Sequence, residues 1–272
     1  MSTVDSDLGS PAKLPVWQTV KAGYGETTRN FGAFLTAAAV PFALSVTLAA
    51  IMAEAPERRS LTLLRSLLEI TIIAVFEVAW YRHLLLKSPE TRPRLLPRPG
   101  RRLVPYLGYA WLLGAASFPA LIAMEPFAEG PGSALQIAIV IVLVGAALYL
   151  NIRFAFAFIW IAVDESGRLG DSWRRTKGNG LRLLAALALI AMLILGVLLV
   201  GILLLEFVFP DTMIMTRLGT TDADSGLHWV SLTSGQALTY LLYGVGCAAF
   251  VQALRSLGGW TGDQREILER FD

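Results

Sequence analysis

"LLAALALIAMLILGVLLVGILLL", residues 183–205, runs for 23 residues without one charged or hydroxyl-bearing side chain. As a helix it is about 35 Å long at 1.5 Å per residue, against a bilayer hydrocarbon core about 30 Å thick. A stretch so long and so uniformly apolar has no polar face to turn to water, so lipid is the solvent it fits. The chain therefore reads as an all-α polytopic membrane protein, in which every other segment is a span or a connection between spans.

The rest of the sequence leans the same way. Of its 272 residues, 55% are hydrophobic and 16% charged, with a mean hydropathy of +0.58; soluble domains carry about 25% charged residues. Six stretches have the length and character of transmembrane helices: Phe31 to Met52, Leu61 to Leu86, Tyr106 to Met124, Ala134 to Val163, Leu181 to Phe209 and Val230 to Leu254. Pro41 and Pro119 fall inside the first and third. Neighbouring helices and local distortion satisfy the carbonyls that such prolines free in lipid.

Orientation is read from the connections. Lys87, Arg92, Arg94, Arg98, Arg101 and Arg102 lie between spans two and three, and Arg168, Arg174, Arg175 and Lys177 between spans four and five. "EPFAEGPGS" between spans three and four carries no cation, and the tail adds Arg255, Arg265 and Arg270. Cations stay on the cytoplasmic side, so both termini and the two basic connections are expected there, with Arg58 and Arg59 dissenting in an outer loop. The polar first 30 residues lack the pattern of a cleavable leader. Residues 1–30 are expected to form a cytoplasmic segment with an interfacial helix bearing Val16, Trp17, Val20 and Tyr24. Residues 31–257 form the six-helix domain, and 258–272 a cytoplasmic tail with a further amphipathic turn around Trp260, Ile267, Leu268 and Phe271.

"GDSWRRTKGNG", residues 170–180, is the most polar connection. It is no phosphate loop, because Lys177 precedes Gly178 where a Walker lysine follows glycine, and a membrane helix stands where a strand is required. It is too short in charge and aromatics for a nucleic-acid arm. A short surface helix fits better, with Asp171 in its first turn complementing the helix dipole. Leu169, Trp173 and Thr176 share one face, and Gly178 is a left-handed terminator. Trp173, Arg174, Arg175 and Lys177 are then the expected contacts to membrane lipids, their anionic headgroups lying at the cytoplasmic face. Each cation is worth about 1 kcal/mol there.

The run "NIRFAFAFIWIAVDESGRLGDSWRRTKGNGLRLL", residues 151–184, resembles the membrane domain associated with some bacterial glycerophosphoryl diester phosphodiesterases and related six-span inner-membrane proteins. Arg153, Glu165, Ser172, Lys177 and Gly178 match the pattern of that group, whereas the proline often found after the span-four arginine is absent. The resemblance implies a six-span architecture in a bacterial cytoplasmic (inner) membrane. It carries little chemistry with it.

Polar residues inside the spans are the remaining candidates: Arg65, Glu69 and Glu77 in span two, Asn151 and Arg153 in span four. Buried charges in lipid are expensive and face the bundle interior. Arg65 and Glu69, four apart, are expected to pair within their helix, and Glu77 to pair with Arg153. His83 and His228 are isolated and Cys247 is the one cysteine, so neither metal-ligand spacing nor a catalytic triad is legible. No cofactor is expected, and no nucleic-acid partner. Gly235 with Thr239, and Gly244 with Ala248, are small-residue pairs at which helices approach, here within the monomer. The expectation is a non-catalytic integral membrane protein whose basic loops engage anionic lipid or a protein partner, in membrane organisation or membrane-protein assembly. The alternative is a small-solute or lipid transporter using Glu69, Glu77 and Arg153.

Overall fold

A computed structural model describes residues 13–53, 59–86, 103–124, 133–163, 169–208 and 226–257. Among them there is no strand. The helices are α1 (Val16–Arg29), α2 (Phe31–Ala53), α3 (Arg59–Leu86), α4 (Leu103–Met124), α5 (Ala134–Ala162), α6 (Leu169–Arg175), α7 (Gly180–Val208) and α8 (Gly226–Ser256). Phe31–Met52, Ala134–Ala162, Gly180–Gly201 and Leu232–Ser256 are long and apolar enough to cross a membrane. The two other expected spans are also helices. α3, however, carries Arg65, Glu69, Glu77 and Arg82, and the apolar run of α4 is the shorter Leu103–Ala116. The proline-rich linker, the residues around Glu165 and Arg168, and the C-terminal tail lie outside the described residues.

Local chemistry sets several helix limits. Ser133 and Gln136 form a reciprocal capping box at the start of α5, with the Ser133 N–H donating to Gln136 Oε1 at 2.7 Å, which satisfies two donors the first turn leaves open. Gly178 adopts φ 78 just after α6, the left-handed terminator expected from its place before "NG". At two other helix ends arginines reach carbonyls that the helix leaves without an internal partner. Arg82 Nη1 donates to Ala162 O, the last residue of α5, and Arg255 Nη2 to Leu84 O in the last turn of α3. Cations suit those positions because the C-terminal end of a helix is partially negative.

α8 is the hub, touching α1, α2, α3, α5 and α7. Its most crowded point is Gly244. A Cβ there would lie 2.5 Å from Phe34 Cε2, and its carbonyl accepts from Trp80 Nε1 at 2.9 Å and from Thr27 Oγ1 at 3.4 Å. Phe34 in turn meets Phe76 and Trp80 edge-on at 5.8 and 5.7 Å, arrangements that aromatic quadrupoles favour. Gly244 and Ala248 thus serve packing within the monomer, while nothing lies within 4 Å of a Cβ placed on Gly235.

α1, the expected interfacial helix, packs one face against the bundle. Thr19, Val20, Gly23 and Thr27 are buried against α8 and α7, and a Cβ on Gly23 would meet Val245 O at 2.9 Å. Its start is clamped: the Leu14 N–H donates to Asn179 Oδ1 at 2.9 Å, and Arg182 Nη1 donates to Leu14 O at 3.1 Å. Tyr24 donates its hydroxyl to Ile190 O at 3.0 Å; burial raises its phenol pKa, which keeps it a donor. Trp17 alone of the expected apolar face remains well exposed. The physical reason is the glycine, which lets α1 approach the α8 backbone closely enough to become part of the bundle.

Candidate functional site

Helices α3, α4, α5, α7 and α8 line a half-open cavity of about 580 Å³. Its walls are mostly apolar, but Glu69, Glu77, Tyr81, Tyr106, Asn151 and Tyr243 face it, together with the Cys247 thiol. α3 supplies both carboxylates because Glu69 and Glu77 are eight residues apart, about two turns and so on one side of a helix.

The two carboxylates are handled differently. Arg65 Nε donates to Glu69 Oε1 at 3.0 Å, the i,i+4 pair the spacing predicts, and Arg65 itself does not line the cavity. Glu77 Oε2 accepts from the Tyr106 hydroxyl at 2.7 Å. This overturns the expected Glu77–Arg153 pair. The reason is directional: Asn151, Ile152 and Ala155 of α5 line the cavity, whereas Arg153 is absent from its lining and points into the junction with α6 and α7. Glu77 is left as a carboxylate held by a phenol, with no cation among the described residues lining its cavity. Asn151 turns its amide N–H back to Ala147 O at 2.9 Å.

The second concentration of polar side chains is that junction. Ser172 Oγ donates to Arg153 O at 2.8 Å and Thr176 Oγ1 donates to the same carbonyl at 3.4 Å. Both side chains are fully buried. The Arg153 guanidinium lies 4.1 Å from the Trp173 ring centroid and 5.8 Å from that of Tyr149. Trp173 also meets the Tyr149 ring edge-on at 5.9 Å and Phe154 at 5.6 Å.

These contacts correct the face assigned to α6. Thr176 and the Trp173 ring, expected to rest on lipid, are turned against α5, because Arg153 offers the indole a cation and its carbonyl offers the hydroxyls an acceptor. Trp173 keeps 38% of its surface exposed. Arg174 pairs with Asp171 one turn back and is mostly exposed, Lys177 is exposed, and the Arg175 guanidinium lies 5.5 Å from the Trp160 centroid. His83 stacks on Trp80 and its Nε2 lies 3.4 Å from Asn30 Oδ1. The side chain of His228 lies outside the described residues.

Sequence reasoning missed Tyr81, Tyr106 and Tyr243 as cavity residues and Trp173 as the cover of Arg153. All are ordinary aromatics in apolar runs, and only tertiary packing marks them out. No family model, curated protein or solved structure matches the chain. Its class rests on the fold: among the described residues, four helices of membrane-crossing length and apolarity, as in multi-pass membrane proteins, and a mostly apolar cavity between helices with a few polar groups.

Proposed function

We propose that the chain is a six-span protein of a bacterial cytoplasmic membrane, with both termini and its two basic connections inside, and that its cavity binds a small solute or lipid fragment for movement across or within the bilayer. The observation that carries this reading is Glu77: a carboxylate facing a space of about 580 Å³, held by Tyr106 and faced by no cation among the described residues. Ligand pockets typically hold about 300–1,000 Å³, with mostly apolar walls and a few convergent polar groups. A charge deep in a membrane bundle costs about 2.5–3.5 kcal/mol even on the mildest scales, so an intramembrane carboxylate kept without a counter-ion is a functional candidate by default. Arg153, on the far side of α5, drops out of this path.

The ligand that fits is neutral or cationic, with at least one hydrogen-bond donor for Glu77 and an apolar portion for the walls. Thermal unfolding of the purified protein in detergent, against a panel of organic amines, polyols and carboxylates, tests it. Amines or polyols should raise Tm in the wild type and lose most of that effect in Glu77→Gln. A panel without any stabilising compound, or one acting equally on both proteins, removes the reading.

A second reading is that of a non-catalytic protein whose basic face engages anionic lipid, through Trp173, Arg174, Arg175 and Lys177. The exposure of Arg174 and Lys177 favours it. The resemblance to the phosphodiesterase-associated membrane domain fits either reading, since Arg153, Ser172, Lys177 and Gly178 all belong to one junction.

A further inference from the structure

Arg153 is a charge without a matching anion among the described residues. The residue is 5% exposed, its Nε has no hydrogen-bond partner, and the ion pairs among the described residues are Arg65–Glu69 and Arg174–Asp171. Its contacts are the Trp173 and Tyr149 rings. Burying an unpaired charge is strongly unfavourable, and cation–π contact offsets only part of that.

The same side chain packs against the start of α7. A Cβ on Gly180, the first residue of that helix, would lie 3.8 Å from Arg153 Cδ and 4.0 Å from Tyr149 Cε2. A helix N-terminus is itself partially positive, with first-turn N–H groups that have no acceptor inside the helix. A guanidinium and a helix N-terminus repel each other and attract the same thing, an anion.

We infer that the junction of α5, α6 and α7 binds the phosphate of an anionic lipid, with Arg153 supplying the charge, the first turn of α7 supplying N–H donors, and Trp173 and Tyr149 forming the walls. A lipid suits the site better than free phosphate because the surface beside it is apolar and open. Leu181 is 79% exposed and Tyr149 47%, offering a bed for acyl chains. The site is separate from the cavity on the opposite side of α5, and it rests on the second reading above.

Native mass spectrometry of the protein in mixed phosphatidylcholine and phosphatidylglycerol nanodiscs tests it, using the wild type, Arg153→Gln, Arg153→Lys and the double variant Arg174→Gln/Lys177→Gln. Retained phosphatidylglycerol should fall about fivefold or more in Arg153→Gln, the worth of one cation at a membrane surface, recover in part in Arg153→Lys, and change little in the double variant. Loss confined to the double variant overturns the Arg153 site and leaves the surface reading standing; wild-type retention in every variant overturns both. A parallel arm follows thermal unfolding of the wild type, and so does not depend on how the variants fold. Phosphatidylglycerol, and not phosphatidylcholine, should raise Tm. A shift with inorganic phosphate but none with phosphatidylglycerol assigns the site to soluble phosphate and overturns the lipid assignment, and no shift with either overturns the site.

Discussion

The Tyr106 hydroxyl donates to Glu77 Oε2 at 2.7 Å, joining α4 to α3 at the wall of the cavity. Stranding one partner of a buried hydrogen bond costs about 1–3 kcal/mol, and no cation among the described residues lines the cavity to compensate for its loss. Tyr106→Phe should therefore destabilise the protein by about that amount. A double-mutant cycle between Tyr106→Phe and Glu77→Gln should show coupling well above the 0.3–0.5 kcal/mol or so typical of independent sites. The parallel cycle between Glu77→Gln and Arg153→Gln should be additive, and coupling there would restore the ion pair that the helix faces exclude. Chemical denaturation in detergent measures both.

Gly244 and Gly235 stand two and a half turns apart on α8 and should respond with opposite signs. A methyl on Gly244 meets the Phe34 ring at 2.5 Å, and the ring is wedged between Phe76 and Trp80. Overpacking of this kind costs about 1–3 kcal/mol, so Gly244→Ala should lower Tm. Gly235→Ala meets nothing within 4 Å and gains up to about 1 kcal/mol in helix propensity. A loss of stability at Gly235→Ala accompanied by a change in oligomeric state on size-exclusion chromatography would instead mark that face as a contact between copies.

How far the sequence foretold this arrangement depends on the range of each interaction. The uncharged run of α7, the Arg65–Glu69 pair and the left-handed Gly178 are set by residues within a turn or two, and each follows from local pattern. The partner of Glu77 does not. Tyr106 lies 29 residues away on another helix, and Arg153 was an equally sound choice by charge alone. The burial of α1 was hidden for the same reason. Val16, Trp17, Val20 and Tyr24 make an amphipathic stripe whose pattern names no partner, and the close approach of Gly23 to Val245 O supplies one. Trp173 reads as a lipid anchor, and only the packing of α6 on α5 adds that the same ring covers Arg153.

The hydrogen bonds that tie α6 to α5 converge on one carbonyl, beside the ring contacts of Trp173, so its docking is open to a local test. Ser172→Ala removes the shorter hydrogen bond to Arg153 O, and the 3.4 Å contact from Thr176 replaces it only in part. A loss of about 1 kcal/mol is expected. Ser172→Ala/Thr176→Val should lose more than the sum of the single changes, because either hydroxyl covers for the other. Amide exchange should speed up across residues 169–177 in the double variant while the amides of α8 keep their protection. Uniform loss of protection would mean that α6 is not a separable unit.

Asn179 carries the corresponding role for α1. Leu14 is fully buried, and its N–H has Asn179 Oδ1 as acceptor at 2.9 Å. Asn179→Ala strands that donor away from water, which costs about 1–3 kcal/mol, whereas Asn179→Asp keeps the acceptor. Arg182→Met removes the complementary bond to Leu14 O, but it leaves a carbonyl, which tolerates under-satisfaction better than an orphaned N–H. Asn179→Ala should therefore exceed Arg182→Met in its effect. That effect should be seen first as faster amide exchange and proteolytic cutting near residues 13–20, before any global loss of helix. If instead the two variants unfold the whole bundle together, the α1 clamp is a condition for assembling α7 and α8 and not a late attachment to them.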